Sequence, residues 1–82
     1  MAALKKYTVL AIDMHGDVVT SSNADTAKYA RTLARDWLGF SNVGSVRVWR
    51  NTRPNVELFE VYVNNGGKCS VIKDGKVRNI RI

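Results

Sequence analysis

Helical periodicity occurs in one stretch of this chain, between Ser22 and Gly39, and the segments on either side alternate in the period of two that suits strands. One helix among strands leaves few architectures open, because its single apolar stripe has to be buried against a sheet. The stripe is Ala27, Ala30, Ala34, Trp37 and Leu38, with Leu33. Small alanines let the helix lie close to the sheet, and Trp37 supplies most of the area to be buried. Ser22 reads as the N-cap, with Asp25 three positions on as in a capping box, and Gly39 follows the last periodic residue.

Residues 7–13 (YTVLAID) carry apolar side chains on both alternating faces, which suits a central strand, and a turn over 14–17 leads into a short strand at 18–20. Residues 45–51 (SVRVWRN) alternate Val46 and Val48 with Arg47 and Trp49, as a half-buried strand does. Residues 56–63 are apolar on both faces, and the Leu58-Phe59 doublet is the place for a bulge. Residues 68–73 and 76–82 flank Asp74-Gly75, a dipeptide suited to a two-residue hairpin turn in which both residues take positive φ. The expectation is a single small α+β domain over residues 1–82. It is an antiparallel sheet of about five strands in the order ββαβββ, with one amphipathic helix on one face.

At 82 residues and 45% hydrophobic content the chain has room for one core of roughly 12 Å radius, and composition does not point to disorder. A lone Cys69 makes no internal disulfide, which favours a reducing, cytoplasmic setting. No signal peptide is expected, and no stretch approaches the roughly 18 apolar residues of a membrane span.

The formal charge of +6 is unevenly spread. Residues 1–23 are neutral, 24–43 carry +1, 44–55 carry +3, 56–67 carry −2 and 68–82 carry +4. The excess therefore belongs to the third strand with its turn and to the C-terminal hairpin. In 44–55, Arg47, Trp49, Arg50 and Arg53 interleave an indole with guanidinium groups, a combination suited to stacking on bases and holding phosphates. Arg47 and Trp49 share one strand face while Arg50 falls on the other with Val46 and Val48. In the hairpin Lys68, Lys73, Lys76, Arg78 and Arg81 supply the charge, with Lys73 across from Lys76, Val71 from Arg78 and Cys69 from Ile80. Like charges placed opposite each other cost stability until an anion joins them, although lysines also guard strand edges against aggregation. Lys28, Arg31 and Arg35 project from one helix stripe, as a solvated face or as a surface for phosphates or an acidic partner.

Catalytic chemistry has little to stand on. His15 and Cys69 are single members of their types, and Cys69 reads as a small half-buried hydrophobe. Asp13, His15 and Asp17 would point the same way on an extended backbone, but a turn at Gly16 breaks that convergence. Their expected role is to hold the turn, with no metal site. YTVLAID, the turn and VVT resemble the first hairpin of nucleases of the ribonuclease H type, which implies a metal-binding acidic residue on the first strand. That resemblance covers about a dozen residues. The remainder is too short for that fold, and Glu57 and Glu60, three apart on a strand, are expected to face opposite ways.

Two function classes follow. The first is a non-enzymatic basic module contacting nucleic-acid phosphates, DNA or RNA, without strong base readout and without a cofactor. The second is a compact interaction module, such as a phage-type or mobile-element inhibitor, docking on an acidic surface of a larger protein or nucleoprotein complex through Arg and Trp. Neither involves a membrane, and either is compatible with a monomer or a homodimer.

Overall fold

The computed structural model describes residues 6–51 and 56–80. Its elements are β1 (Tyr7–Ile12), β2 (Val18–Ala24), α1 (Ala27–Leu38), β3 (Ser45–Asn51), β4 (Val56–Asn65), β5 (Lys68–Lys73) and β6 (Lys76–Ile80). The six strands form one antiparallel sheet in the order β2-β1-β3-β4-β5-β6. This is the expected α+β domain with six strands where about five were expected, because the four segments read after the helix, 45–51, 56–63, 68–73 and 76–82, each give a strand, whereas the order ββαβββ allows only three there. Asp74 and Gly75 take φ of 53° and 76°, and the tight turn they make divides the C-terminal segment into two paired strands.

The helix begins later than its sequence signals suggest. Thr26, not Ser22, is the N-cap, its hydroxyl accepting from the Tyr29 N–H at 3.1 Å. Ser22 is in β2, which continues to Ala24 because β1 offers partners along its whole length, Val9 to Ser22 and Tyr7 to Ala24. Strand pairing that also buries Ala24 outweighs a local capping pattern worth about 1 kcal/mol. At the other end Asn64 on β4 donates its side-chain amide to the Leu38 carbonyl at 3.3 Å, tying the last helical turn to the sheet.

The core lies between α1 and one face of the sheet. Val9 and Ala11 of β1, Ala24 of β2, Val46 and Val48 of β3, and Tyr62 of β4 meet Ala30, Ala34 and Leu38 of the helix, all at most 1% exposed. Alanines on both sides bring helix and sheet close, so branched Val side chains fill the interval. Leu33 and Trp37 pack against this core only partly buried, so Leu38 and Tyr62, rather than Trp37, are the large side chains at its centre. The helix rests on β1, β3, β4 and part of β2, and leaves β5 and β6 extending beyond it.

A bulge on β4 shapes that uncovered side. The register with β3 shifts between Val48, opposite Glu60, and Trp49, opposite Leu58, so Phe59 is the extra residue. Glu57 pairs with Arg50 and Glu60 with Val48, which share the helix-facing side of β3. The two glutamates therefore share a face, contrary to the expectation from their spacing, because one inserted residue reverses the alternation.

Candidate functional site

Beyond the edge of the helix, the flank of α1 and the β5–β6 hairpin enclose a groove of about 810 Å³. Arg31 and Arg35 line its helix side, Lys73, Lys76 and Arg78 its hairpin side, and Tyr62, Val71 and Ile80 form an apolar floor. Five cations face two carboxylates, Glu60 and Asp74, across this space. One like-charged pair is accepted here in the observed register, Lys73 with Lys76 across the turn, while Arg78 stands opposite the uncharged Val71.

Glu60 anchors the groove wall. It is 4% exposed, accepts from Arg31 Nε at 2.6 Å through Oε1, and accepts from the Tyr62 hydroxyl at 3.1 Å through Oε2. A carboxylate so nearly dry has to be paired, and one guanidinium and one phenol do this. The hydrogen bond to Glu60 raises the pKa of Arg31, keeping it a permanent cation. Burial, with the Glu60 charge adding to it, pushes the Tyr62 hydroxyl up to about 12.

The groove continues toward β3 through Phe59. Arg50, Arg31 and Lys73 bring their charged ends to 4.7, 5.2 and 5.3 Å from the centre of its ring, and Tyr7 packs tilted against it at 5.4 Å. A ring face attracts each cation modestly, by about 0.5–1 kcal/mol at such exposed sites. The gathering of three cations around one phenyl follows from the bulge, which adds Phe59 to the face already occupied by Glu60. Lys73 lines both the main groove and a smaller depression that runs past Phe59 to Arg50 and Glu57, so the positive surface is continuous.

The candidate residues divide between the two faces of the sheet. Arg31, Arg35, Arg50, Lys73, Lys76 and Arg78 come together on the helix side. Arg47 and Trp49 share the opposite face, Arg47 exposed and Trp49 half-buried, and the alternation of β5 puts Lys68 on that face as well. Lys28 is exposed on the helix but does not line the groove. Arg53 and Arg81 lie outside the described residues. Phe59, Glu60 and Tyr62 are the site residues that the sequence reading passed over; the Leu58-Phe59 doublet was their one available signal.

At the β1–β2 turn Asp13 Oδ1 accepts from the backbone N–H groups of His15 and Asp17, both at 2.9 Å, and Gly16 takes a φ of 88°. The Asp17 N–H, with the N–H and charge of His15 adding to it, lowers the Asp13 pKa below the usual carboxylate value. The carboxylate thus holds the turn, and among the described residues no three His, Cys, Asp or Glu side chains gather as a metal site would require. Cys69 is half-buried on β5 across from Ile80. No described helix is long and apolar enough to cross a membrane. No protein-family model, curated protein or solved structure matches the chain.

Proposed function

We propose that the protein is a non-enzymatic binding module whose groove takes the phosphates of a nucleic acid without reading its bases. The observation that carries this reading is the convergence of Arg31, Arg35, Lys73, Lys76 and Arg78, from three separate elements, on one open groove. Arg31 is engaged with Glu60, so Arg35, Lys73, Lys76 and Arg78 are the cations offered to a polyanion. Phosphates entering the groove relieve the repulsion between Lys73 and Lys76, and the groove cations displace the counterions condensed on the nucleic acid. An arrangement of this kind gives salt-sensitive attachment that fixes position on the backbone and carries no base readout.

The test is the salt dependence of binding to a labelled duplex by fluorescence anisotropy. Four phosphate contacts give a slope of log affinity against log salt of about −3.6, and the double variant Lys76→Ala, Arg78→Ala halves it to about −1.8. Absence of any binding at low salt, or a slope unchanged in the double variant, overturns the reading.

A further inference from the structure

The sheet has a second face, and no described element packs over it. Strand register puts Leu10, Ile12, Trp49, Val61, Val63 and Ile72 there, and none of them reaches full burial. Leu58 and Val77 on the same face are 49% and 67% exposed. Near its middle stands Arg47, exposed, between Leu10 on β1 and Val61 on β4. Lys68 adds a second cation toward one end.

All seven acidic residues of the chain lie elsewhere. Asp13 and Asp17 are at the β1–β2 turn, Asp25 precedes the helix, and Asp36 is in it. Glu57 and Glu60 share the helix-facing side, and Asp74 is in the β5–β6 turn. The remaining polar groups of the open face are neutral amides and hydroxyls, with Asn23, Thr8 and Asn51 joined in a hydrogen-bonded row across three strands.

We propose that this face is a platform for a single-stranded nucleic acid, with an unpaired base stacked on Trp49 and a neighbouring phosphate at Arg47. An aromatic ring and two cations with no carboxylate are complementary to a polyanion whose bases present π-faces. Trp49 and Arg47 are two residues apart on one strand, roughly 7 Å along it, close enough to serve adjacent parts of one strand of nucleic acid. A second copy of the chain fits this face poorly. Sheet-to-sheet packing would enclose two Arg47 guanidinium groups in an apolar interface with no carboxylate from either copy to pair them. Duplex DNA fits poorly too, since its bases are already stacked on one another.

The inference takes its ligand class from the groove reading but uses other residues on another face. The two surfaces meet at the edge strand β6, where alternation puts Lys76 and Arg78 on the groove side of the sheet and Val77 and Asn79 on the other while all four border the groove, so one strand can reach both around that edge.

The experiment compares a 15-nucleotide oligo-dT with a 15-base-pair duplex at low salt, using Trp49→Ala, Trp49→Phe, Arg47→Ala and the groove variant Lys76→Ala, Arg78→Ala. Trp49→Ala is expected to weaken oligo-dT binding about 5- to 150-fold, with Trp49→Phe keeping most of the affinity and the duplex unaffected. Arg47→Ala weakens oligo-dT as well. In the wild-type protein the Trp49 indole N–H resonance, assigned by its loss in Trp49→Phe, moves on titration with oligo-dT. The proposal is overturned if Trp49→Phe and a Trp49→Ala protein of native melting temperature both bind oligo-dT as the wild type does while that resonance stays still. That result leaves the face to a protein partner, and the groove reading stands if the groove variant still weakens both oligonucleotides. A wild-type dimer in sedimentation that Arg47→Glu or Trp49→Ala dissociates overturns it in favour of a second copy. If neither oligonucleotide binds at all, both readings fall.

Discussion

Arg31 Nε lies 2.6 Å from Glu60 Oε1, joining an arginine side chain that is 42% exposed to a carboxylate that is only 5% exposed. The asymmetry decides what the pair does. The arginine can reach solvent without its partner, but the carboxylate depends on the arginine, because its one other hydrogen bond among the described groups comes from Tyr62. Replacing Arg31 by Met, which keeps much of the packing and removes the charge, is expected to destabilise the fold by about 1–2 kcal/mol, under the cost for a fully buried pair because the arginine side of the pair is open to solvent. Guanidinium denaturation measures this, and an unchanged midpoint would mean that water replaces the guanidinium without loss.

Tyr62 gives the fold an alkaline limit. Its hydroxyl, at about 12 in the folded protein, is near the ordinary value of 10 when the chain unfolds. Below pH 10 the proton is held in both states and its contribution is fully present. Between pH 10 and 12 the unfolded chain releases it while the folded one does not, so stability falls as pH rises, by up to roughly 2 kcal/mol. Tyr62→Phe removes this component. The expected result is a smaller loss of stability between pH 9 and 11 in the variant than in the wild type, read by urea denaturation at each pH.

The Asp13 carboxylate works in the opposite direction. Its folded pKa lies below the ordinary value, so its support for the β1–β2 turn is present above that ordinary value and disappears as pH falls through the lower folded one. Asp13→Ala removes the acceptor for two backbone N–H groups. Amide hydrogen exchange at His15 and Asp17 should be faster in the variant at neutral pH, with the β5–β6 hairpin unaffected. Equal exchange in both proteins would show that the turn does not need the side chain.

The β5–β6 turn separates two adjacent residues that share a left-handed conformation. Gly75, at φ 76°, meets no atoms where a Cβ would stand, so Gly75→Ala pays only the backbone strain, about 1–2 kcal/mol. Asp74, at φ 53°, is replaceable by Asn, which tolerates the same conformation. Asp74→Asn removes one of the groove's two carboxylates, so on the proposed function it tightens duplex binding roughly twofold at low salt with the fold intact. Anisotropy titrations and thermal melts of the two variants check both statements.

Much of the architecture was legible because the signals were local. Asp74-Gly75 fixed a turn and therefore the pairing of Lys73 with Lys76, and the alanine stripe fixed which side of the helix meets the sheet. Ser22 misled as a cap because capping is a contest between local hydrogen bonds and strand partners, and the partners come from β1, distant in sequence. Glu57 and Glu60 misled because counting residues assumes an uninterrupted alternation, which the bulge at Phe59 breaks.

The sequence by itself determined that this chain is a one-helix α+β domain, that its charge is concentrated in particular strands, and that Arg47 and Arg50 point to opposite faces, since periodicity and turn chemistry act over a few residues. Only the tertiary structure decided which cations meet. Arg31 and Arg35 are more than 30 residues from Lys73, Lys76 and Arg78 in the chain, and no local rule brings them together. They share a groove because the helix covers the middle of the sheet and stops short of β5 and β6, a consequence of where the apolar stripe finds its partners.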